Sequence, residues 1–274
     1  MTALGGTPTL IGLPYDASSS YQRGPADAPA AIRGALWSPS ANSWTELGVD
    51  IGAEGMITDA GDIEIGTCAP ADARRSIERA IARLLDIGGR PVSLGGDHSV
   101  TYPILRAVRP RVPRLTIVHI DAHPDLYDDF EGDRYSHACP FARIMEEGLA
   151  DRLIQIGIRT MTGHQRAQVR RFGVEVVEMR HLKPDIRIPS DVPLYVSIDI
   201  DALDPAFAPG VSHREPGGMS VRQLLSVIQS LEAPIVAADV VELNPINDTS
   251  GMSSFVAAKI LRELLGVMIG RRSD

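Results

Sequence analysis

Only two cysteines, Cys68 and Cys139, occur among the 274 residues of this chain. Two thiols build no disulfide framework, which fits a reducing compartment, so a cytoplasmic location is expected. No apolar run approaches the ~20 residues that a membrane span needs, and the N-terminus lacks the basic and apolar regions of a secretory leader. Basic residues are outnumbered, 27 against 35 acidic, for a net charge of −8. That deficit argues against nucleic acid and anionic membranes as partners, because both call for a basic patch. Two nucleotide-binding signatures are missing too. The stretch Gly95-Gly96-Asp97-His98 has neither the third glycine of a dinucleotide fingerprint nor the Lys-Ser/Thr pair of a phosphate loop. With no repeat, low-complexity stretch or linker, one domain over residues 1–274 is expected.

What remains is a chain of 44% hydrophobic residues, long enough for one large α/β domain. Eight short apolar, β-branched runs read as strands, at 9–13, 56–59, 92–94, 115–120, 153–158, 174–177, 194–199 and 235–240. They alternate with helical patterns at 26–37, 70–87, 102–108, 140–147, 162–172, 221–231 and 253–266. Such alternation predicts a parallel sheet covered by helices on both faces.

Three segments that directly follow predicted strands carry six potential metal ligands: Gly95-Gly96-Asp97-His98-Ser99, Asp121-Ala122-His123-Pro124-Asp125 and Asp199-Ile200-Asp201-Ala202-Leu203-Asp204-Pro205. Open parallel sheets bind ligands at the carboxyl ends of their strands, so His98, Asp121, His123, Asp125, Asp199 and Asp201 converge on one sheet edge. Taken singly, each Asp is more simply a helix cap and each His a hydrogen-bonded structural residue. As a set they resist that reading. Asp121, His123 and Asp125 share parity, as do Asp199 and Asp201, so their side chains point the same way. Several carboxylates on one buried face require a compensating cation. A carboxylate-rich set with a minority of imidazole suits manganese, with nickel, cobalt or iron as rivals, rather than thiolate-bound structural zinc. Four aspartates balance two divalent ions, and such a pair can generate hydroxide near neutral pH. Hydrolysis follows from that chemistry.

On these motifs the chain resembles the ureohydrolase superfamily, the arginases, agmatinases and related guanidino-hydrolases, from Leu10 to about Leu265. The segments around Tyr135-Ser136-His137-Ala138 and Pro205-Ala206-Phe207-Ala208-Pro209 resemble plant-type arginases most, a branch as similar to bacterial agmatinases as to animal arginases. The resemblance implies a three-layer α/β/α sandwich on an eight-stranded parallel sheet, two Mn2+ per subunit and a homo-oligomer, trimer or hexamer. It also implies roles. His98, Asp121, Asp125 and Asp199 hold one metal; His123, Asp121, Asp199 and Asp201 hold the other, with Asp121 and Asp199 bridging. Asp125 accepts a hydrogen bond from the nucleophile. Glu242 matches the family glutamate that pairs with the substrate guanidinium, and His137 the histidine that moves protons to the leaving amine, although Ala138 stands where the family has glycine. The resemblance further implies a small cationic guanidino substrate.

Within that class, the acidic loop Asp128, Asp129, Glu131 and Asp133 disfavours an α-carboxylate and tips the expectation narrowly to agmatine, with L-arginine and guanidinobutyrate as alternatives. A metal-dependent amide deacetylase is a distant alternative whose tandem-histidine motif is absent, and a non-catalytic relative would be expected to have lost ligands. His213 and Glu215 lie in a loop expected to border the pocket or a subunit contact. His119 shares the parity of Asp121 and reads either as support behind the ligands or as a hydrogen-bonded core residue. Asp97 and Asp204 read as loop braces, and His164 and His181 carry no signal.

Overall fold

Each predicted strand run contributes a strand to one sheet in the computed structural model, which describes residues 5–65 and 68–270. They are β1 (Pro8–Gly12), β2 (Thr58–Asp62), β3 (Arg90–Leu94), β4 (Thr116–Ile120), β5 (Arg152–Ile158), β6 (Glu175–Glu178), β7 (Leu194–Asp199) and β8 (Ile235–Val241). All neighbours pair in parallel, in the order β2-β1-β3-β8-β7-β4-β5-β6. The three motif-bearing strands and β8 therefore stand side by side in the middle of the sheet. The edge strand β2 begins later than its expected span and is exposed throughout. It has no apolar periodicity to mark it, and its position is set by pairing with β1, where Thr9 faces Thr58.

Among the described residues, seven α-helices cover the sheet: α1 (Ala28–Leu36), α2 (Pro70–Asp86), α3 (Thr101–Val108), α4 (Pro140–Glu146), α5 (Gly163–Phe172), α6 (Val221–Gln229) and α7 (Met252–Gly270). Local chemistry explains their limits. Pro70 opens α2, where a missing N–H costs nothing, and Ala73, Ile77, Ile81 and Leu85 form its buried stripe. Thr162 with Gln165 and Ser220 with Gln223 make reciprocal capping boxes at the starts of α5 and α6. Gly173 ends α5 in the left-handed conformation.

Alternation along the strands sorts the interior into two cores. Val118, Ile120, Val196, Ile198 and Val240 pack with α1, α6 and α7 on one face. Ile117, Tyr195, Ala237 and Val241 pack with α2, α3 and α4 on the other. Each of these valine and isoleucine side chains, fully buried, favours the fold by ~1.5–3 kcal/mol before entropy is counted. The second face also carries a polar row. Ser93, Asp239, Ser197, His119 and Gln155 lie in register across β3, β8, β7, β4 and β5, and each is fully buried.

Candidate metal centre

The turn after β3 depends on glycine. Gly95 and Gly96 have φ of 68° and 86°, and a Cβ would come within 2.6 Å of Pro29 at the first and 2.9 Å of the Leu13 carbonyl at the second. The Gly95 N–H donates to Val240 (2.8 Å), and the Glu242 N–H donates to Gly96 (3.0 Å). This stitching of β3 to β8 places His98 over the sheet edge. There its N–H donates to Glu242 Oε1 at 2.9 Å.

All six expected ligands meet at that edge. His98 Nδ1 lies 3.1 Å from Asp125 Oδ2, 3.2 Å from Asp121 Oδ2 and 3.2 Å from Asp199 Oδ2. Although buried, this nitrogen has no hydrogen-bond partner. His123 Nδ1 lies 3.0 Å from Asp201 Oδ2 and 3.5 Å from Asp121 Oδ1. The two oxygens of Asp121 thus face different imidazoles, the arrangement a bridging carboxylate needs.

The charges of this cluster are poised to hold a cation. Burial, reinforced by the Asp201 and Asp121 charges, pushes the Asp199 carboxyl well above its usual range. Burial also raises Asp201, against the pull of His123. Burial opposes a charge on His98 as well, yet the carboxylates of Asp121, Asp125 and Asp199 outweigh it and lift its pKa well above the usual value. A lone imidazole nitrogen aimed at three carboxylate oxygens, beside aspartates that resist ionising together, fits oxygen- and nitrogen-ligated divalent cations.

His119 belongs to the support of this cluster. Gln155 Nε2 lies 2.6 Å from the Pro124 carbonyl and 3.0 Å from His119 Nδ1, so the amide donates to both. His119 Nε2 then carries the hydrogen and donates to Asp121 Oδ2 at 2.7 Å. With both nitrogens engaged, His119 does not act as a ligand, although it lies close enough to form a group with His98 and Asp121. Phe141 stacks on its ring, centroids 3.9 Å apart, and seals the inner side.

On the open side lies a cavity of about 180 Å³, lined among others by Asp125, Asp199, Asp201, His137, His213 and Glu242. His137 is clamped between two elements far apart in sequence, with Nδ1 2.8 Å from Glu242 Oε1 and Nε2 2.8 Å from Ser20 Oγ. Burial would lower its pKa, but the Glu242 charge and hydrogen bond raise it to about 9. Glu242 is held below the usual range in spite of burial, because His137 faces it. Asp125 and Glu242 both adopt left-handed backbone, at φ 46° and 64°, a conformation that non-glycine residues adopt only when their surroundings impose it. The His213 ring forms a wall, 5.2 Å from that of His137 and 6.2 Å from that of His123. Glu215 lines a more open cleft together with His123, His213 and Glu131.

The loop braces take their expected places. Asp97 ties the Ser18 and Ser99 amides together, and Asp204 receives the amides of Ala206, Gly217 and Gly218. Sequence reasoning did not single out Ser20, Gln155 or Asp239. The signal for Gln155 and Asp239 is a polar residue in the middle of an apolar strand; Ser20 carries none.

The sequence matches the profile of the Arginase family over residues 7–266. It is 48% identical over 271 residues to "Arginase 1, mitochondrial" of Arabidopsis thaliana, covering 93% of this chain and 79% of the relative. The solved arginase of Medicago truncatula superimposes with a TM-score of 0.91 at 44% identity, covering 96% of this chain and 88% of that one. A hypothetical agmatinase from Burkholderia thailandensis matches at 29% identity with a TM-score of 0.88, covering 99% and 89%.

Two expectations are corrected. The lean towards agmatine is overturned by the much higher identity to plant arginases than to that agmatinase. Its physical basis weakens as well, because three of the four loop acids are engaged locally. Asp128 takes Arg134 at 2.9 Å and Arg143 at 2.8 Å, Asp129 takes the Gly132 amide, and Asp133 takes the Tyr135 amide. The cytoplasmic expectation is overturned by the mitochondrial name of the Arabidopsis relative; two reduced cysteines suit an organelle interior equally well. The central cluster, the sheet that builds it and the extent of the match lead to one conclusion: the chain belongs to the arginase family.

Proposed function

We propose that this hydrolase cleaves L-arginine to ornithine and urea, as a single domain with two Mn2+ ions held by His98, Asp121, Asp125 and Asp199 and by His123, Asp121, Asp199 and Asp201. The observation that carries the metal reading is the unpartnered, buried His98 Nδ1 facing three carboxylate oxygens. When bound, such a pair of cations supplies Lewis acidity and hydroxide near neutral pH. The rest of the reaction falls to side chains. Glu242, fixed through Oε1 by the His98 amide and by His137, pairs with the guanidinium, whose planar donors match a carboxylate. Asp125 accepts a hydrogen bond from the attacking water and aims it. His137, protonated at neutral pH beside Glu242, gives its proton to the departing amine.

L-Arginine is favoured over agmatine by the far wall of the cavity as well as by kinship. That wall includes Tyr127 and Thr160, neutral hydroxyl groups that can donate to an α-carboxylate and accept from an α-ammonium. A homo-oligomer, trimer or hexamer, is the accompanying expectation, and it is consistent with exposed Trp37, Trp44, Leu47, Met252 and Phe255. The deciding experiment compares kcat/KM for L-arginine, agmatine and guanidinobutyrate with saturating Mn2+. L-Arginine should lead, and a higher value for either rival would overturn the assignment.

A further inference from the structure

Asp239 sits in the middle of β8, fully buried in a strand that is otherwise apolar. Its partners are three hydroxyls. Thr101 donates to Oδ2 at 2.8 Å, Tyr195 donates to the same oxygen, and Ser197 donates to Oδ1 at 2.6 Å. A carboxylate placed so deep is costly unless it is hydrogen-bonded and has a use for its charge, and nothing in the reaction above uses Asp239 directly.

We propose that Asp239 is a positioning residue for the metal centre: acting through Ser197, it fixes which nitrogen of His98 carries hydrogen and so presents the Nδ1 lone pair to the cation. The inference rests on the reading of His98 as a ligand. A serine hydroxyl has one proton, and a carboxylate can only accept, so the Ser197 proton is committed to Asp239. Ser197 Oγ, 2.9 Å from His98 Nε2, then meets that nitrogen only as an acceptor. Nε2 must therefore carry the hydrogen, which leaves Nδ1 bare in the neutral ring. Nδ1 is the atom that faces Asp121, Asp125 and Asp199. Supporting carboxylates behind ligand imidazoles commonly act in this way; here a serine is interposed, and the carboxylate comes from a neighbouring strand. His119 shows the complementary arm, its hydrogen directed by Gln155 towards Asp121.

Asp239→Asn tests the relay, because an amide reverses one arm of it. Thr101 and Tyr195 keep the single acceptor oxygen and the NH2 group falls opposite Ser197. The serine proton then turns to His98 Nε2 and drives hydrogen onto Nδ1. The first readout is the nitrogen-15 spectrum of histidine-labelled, metal-free full chain, recorded at a pH where the ring of His98 is neutral and assigned with His98→Asn. Wild type should show hydrogen on Nε2, the variant hydrogen on Nδ1 or a mixture. The second is Mn2+ affinity by chelator competition, which should fall by about 10–100-fold. Tyr195→Phe, which leaves Ser197 committed to Asp239, should keep the wild-type spectrum. Should Asp239→Asn fail to fold, Ser197→Ala replaces it, with mixed tautomers and weakened Mn2+ binding expected. An unchanged tautomer with unchanged affinity in the folded variant overturns the relay. A tautomer switch in a chain that binds no Mn2+ even as wild type leaves the relay standing and sinks the metal reading instead.

Discussion

The middle of the sheet and its two edges use the same acidic residues to opposite ends. At the edges, carboxylates meet arginine in partly solvated pairs: Asp59 of β2 with Arg33 at 2.8 Å, Glu175 of β6 with Arg152 at 2.6 Å, and Glu178 with Arg180 at 2.7 Å. In the middle, Asp121, Asp125, Asp199, Asp201 and Glu242 are at most 8% exposed. Among the described residues, the bases paired with these five are all histidines. An arginine would neutralise a carboxylate permanently, because it cannot lose its proton. An imidazole can lose one and become a ligand. Burial makes the central charges expensive and therefore able to bind a cation; exposure makes the edge pairs worth little.

That contrast can be broken most severely at its centre. Asp199→Asn removes a proposed bridge, so both metal content and turnover should collapse. The expected loss in kcat/KM is at least roughly 10³-fold, about 4 kcal/mol of transition-state stabilisation. Elemental analysis of the purified variant checks it; two full equivalents retained would refute the bridging role.

Next in size is Glu242→Gln. An amide keeps the shape but cannot pair with a cation, so kcat/KM for L-arginine should fall by about 10²–10³-fold while both metals stay bound. Wild-type kinetics in this variant would place the residue outside the substrate site.

His137→Ala should cost about 10²-fold in kcat and should change the shape of the pH profile. In wild type, activity should rise from acid pH as the proposed ligands lose protons that compete with metal. It should fall again as pH passes through about 9, where His137 would lose its acid form. The variant should lack that alkaline fall. The same shift has a stability sign. A folded pKa raised from 6.5 to about 9 stabilises fully below 6.5, and the contribution disappears as pH rises through 9. Thermal melts of metal-free wild type and variant should therefore differ at pH 6 and converge above about 9, and parallel curves across that window would remove the His137–Glu242 pair as their cause.

The smallest effect belongs to the edge. Arg180→Ala breaks a pair whose arginine is 73% exposed, so stability should move by less than ~1 kcal/mol with metal content untouched. A larger loss in urea unfolding would show that edge pairs matter more than their exposure implies.

The same division governs what could be read from sequence. The central strands announce themselves because both faces are buried and the runs are apolar apart from one buried polar row. β2 does not, since Thr58–Asp62 is exposed at every position, and its bounds came out shifted. The clustering of the six candidate ligands was legible because the motifs place them at strand ends with a period of two. The acidic loop misled because charge along the chain does not reveal whether a carboxylate points to a pocket or, like Asp128, to Arg143.

By itself, the sequence determined the alternation of strands and helices, the parity that puts Asp121, His123 and Asp125 on one side, and the glycines that let β3 turn sharply into His98. These depend on backbone periodicity and steric limits within a few residues. Tertiary structure alone decided that β8 and β7 enter the sheet between β3 and β4, since strand order is a choice among pairings that local patterns leave equivalent. From that insertion follow the contacts between distant residues: Glu242 with His137, 105 positions apart, and Asp239 with Ser197, 42 apart. The Asp239–Ser197 bond is set by register between strands, which is fixed only when both faces of the sheet find their cores, and the Glu242–His137 bond by the loop that brings His137 over the end of β8.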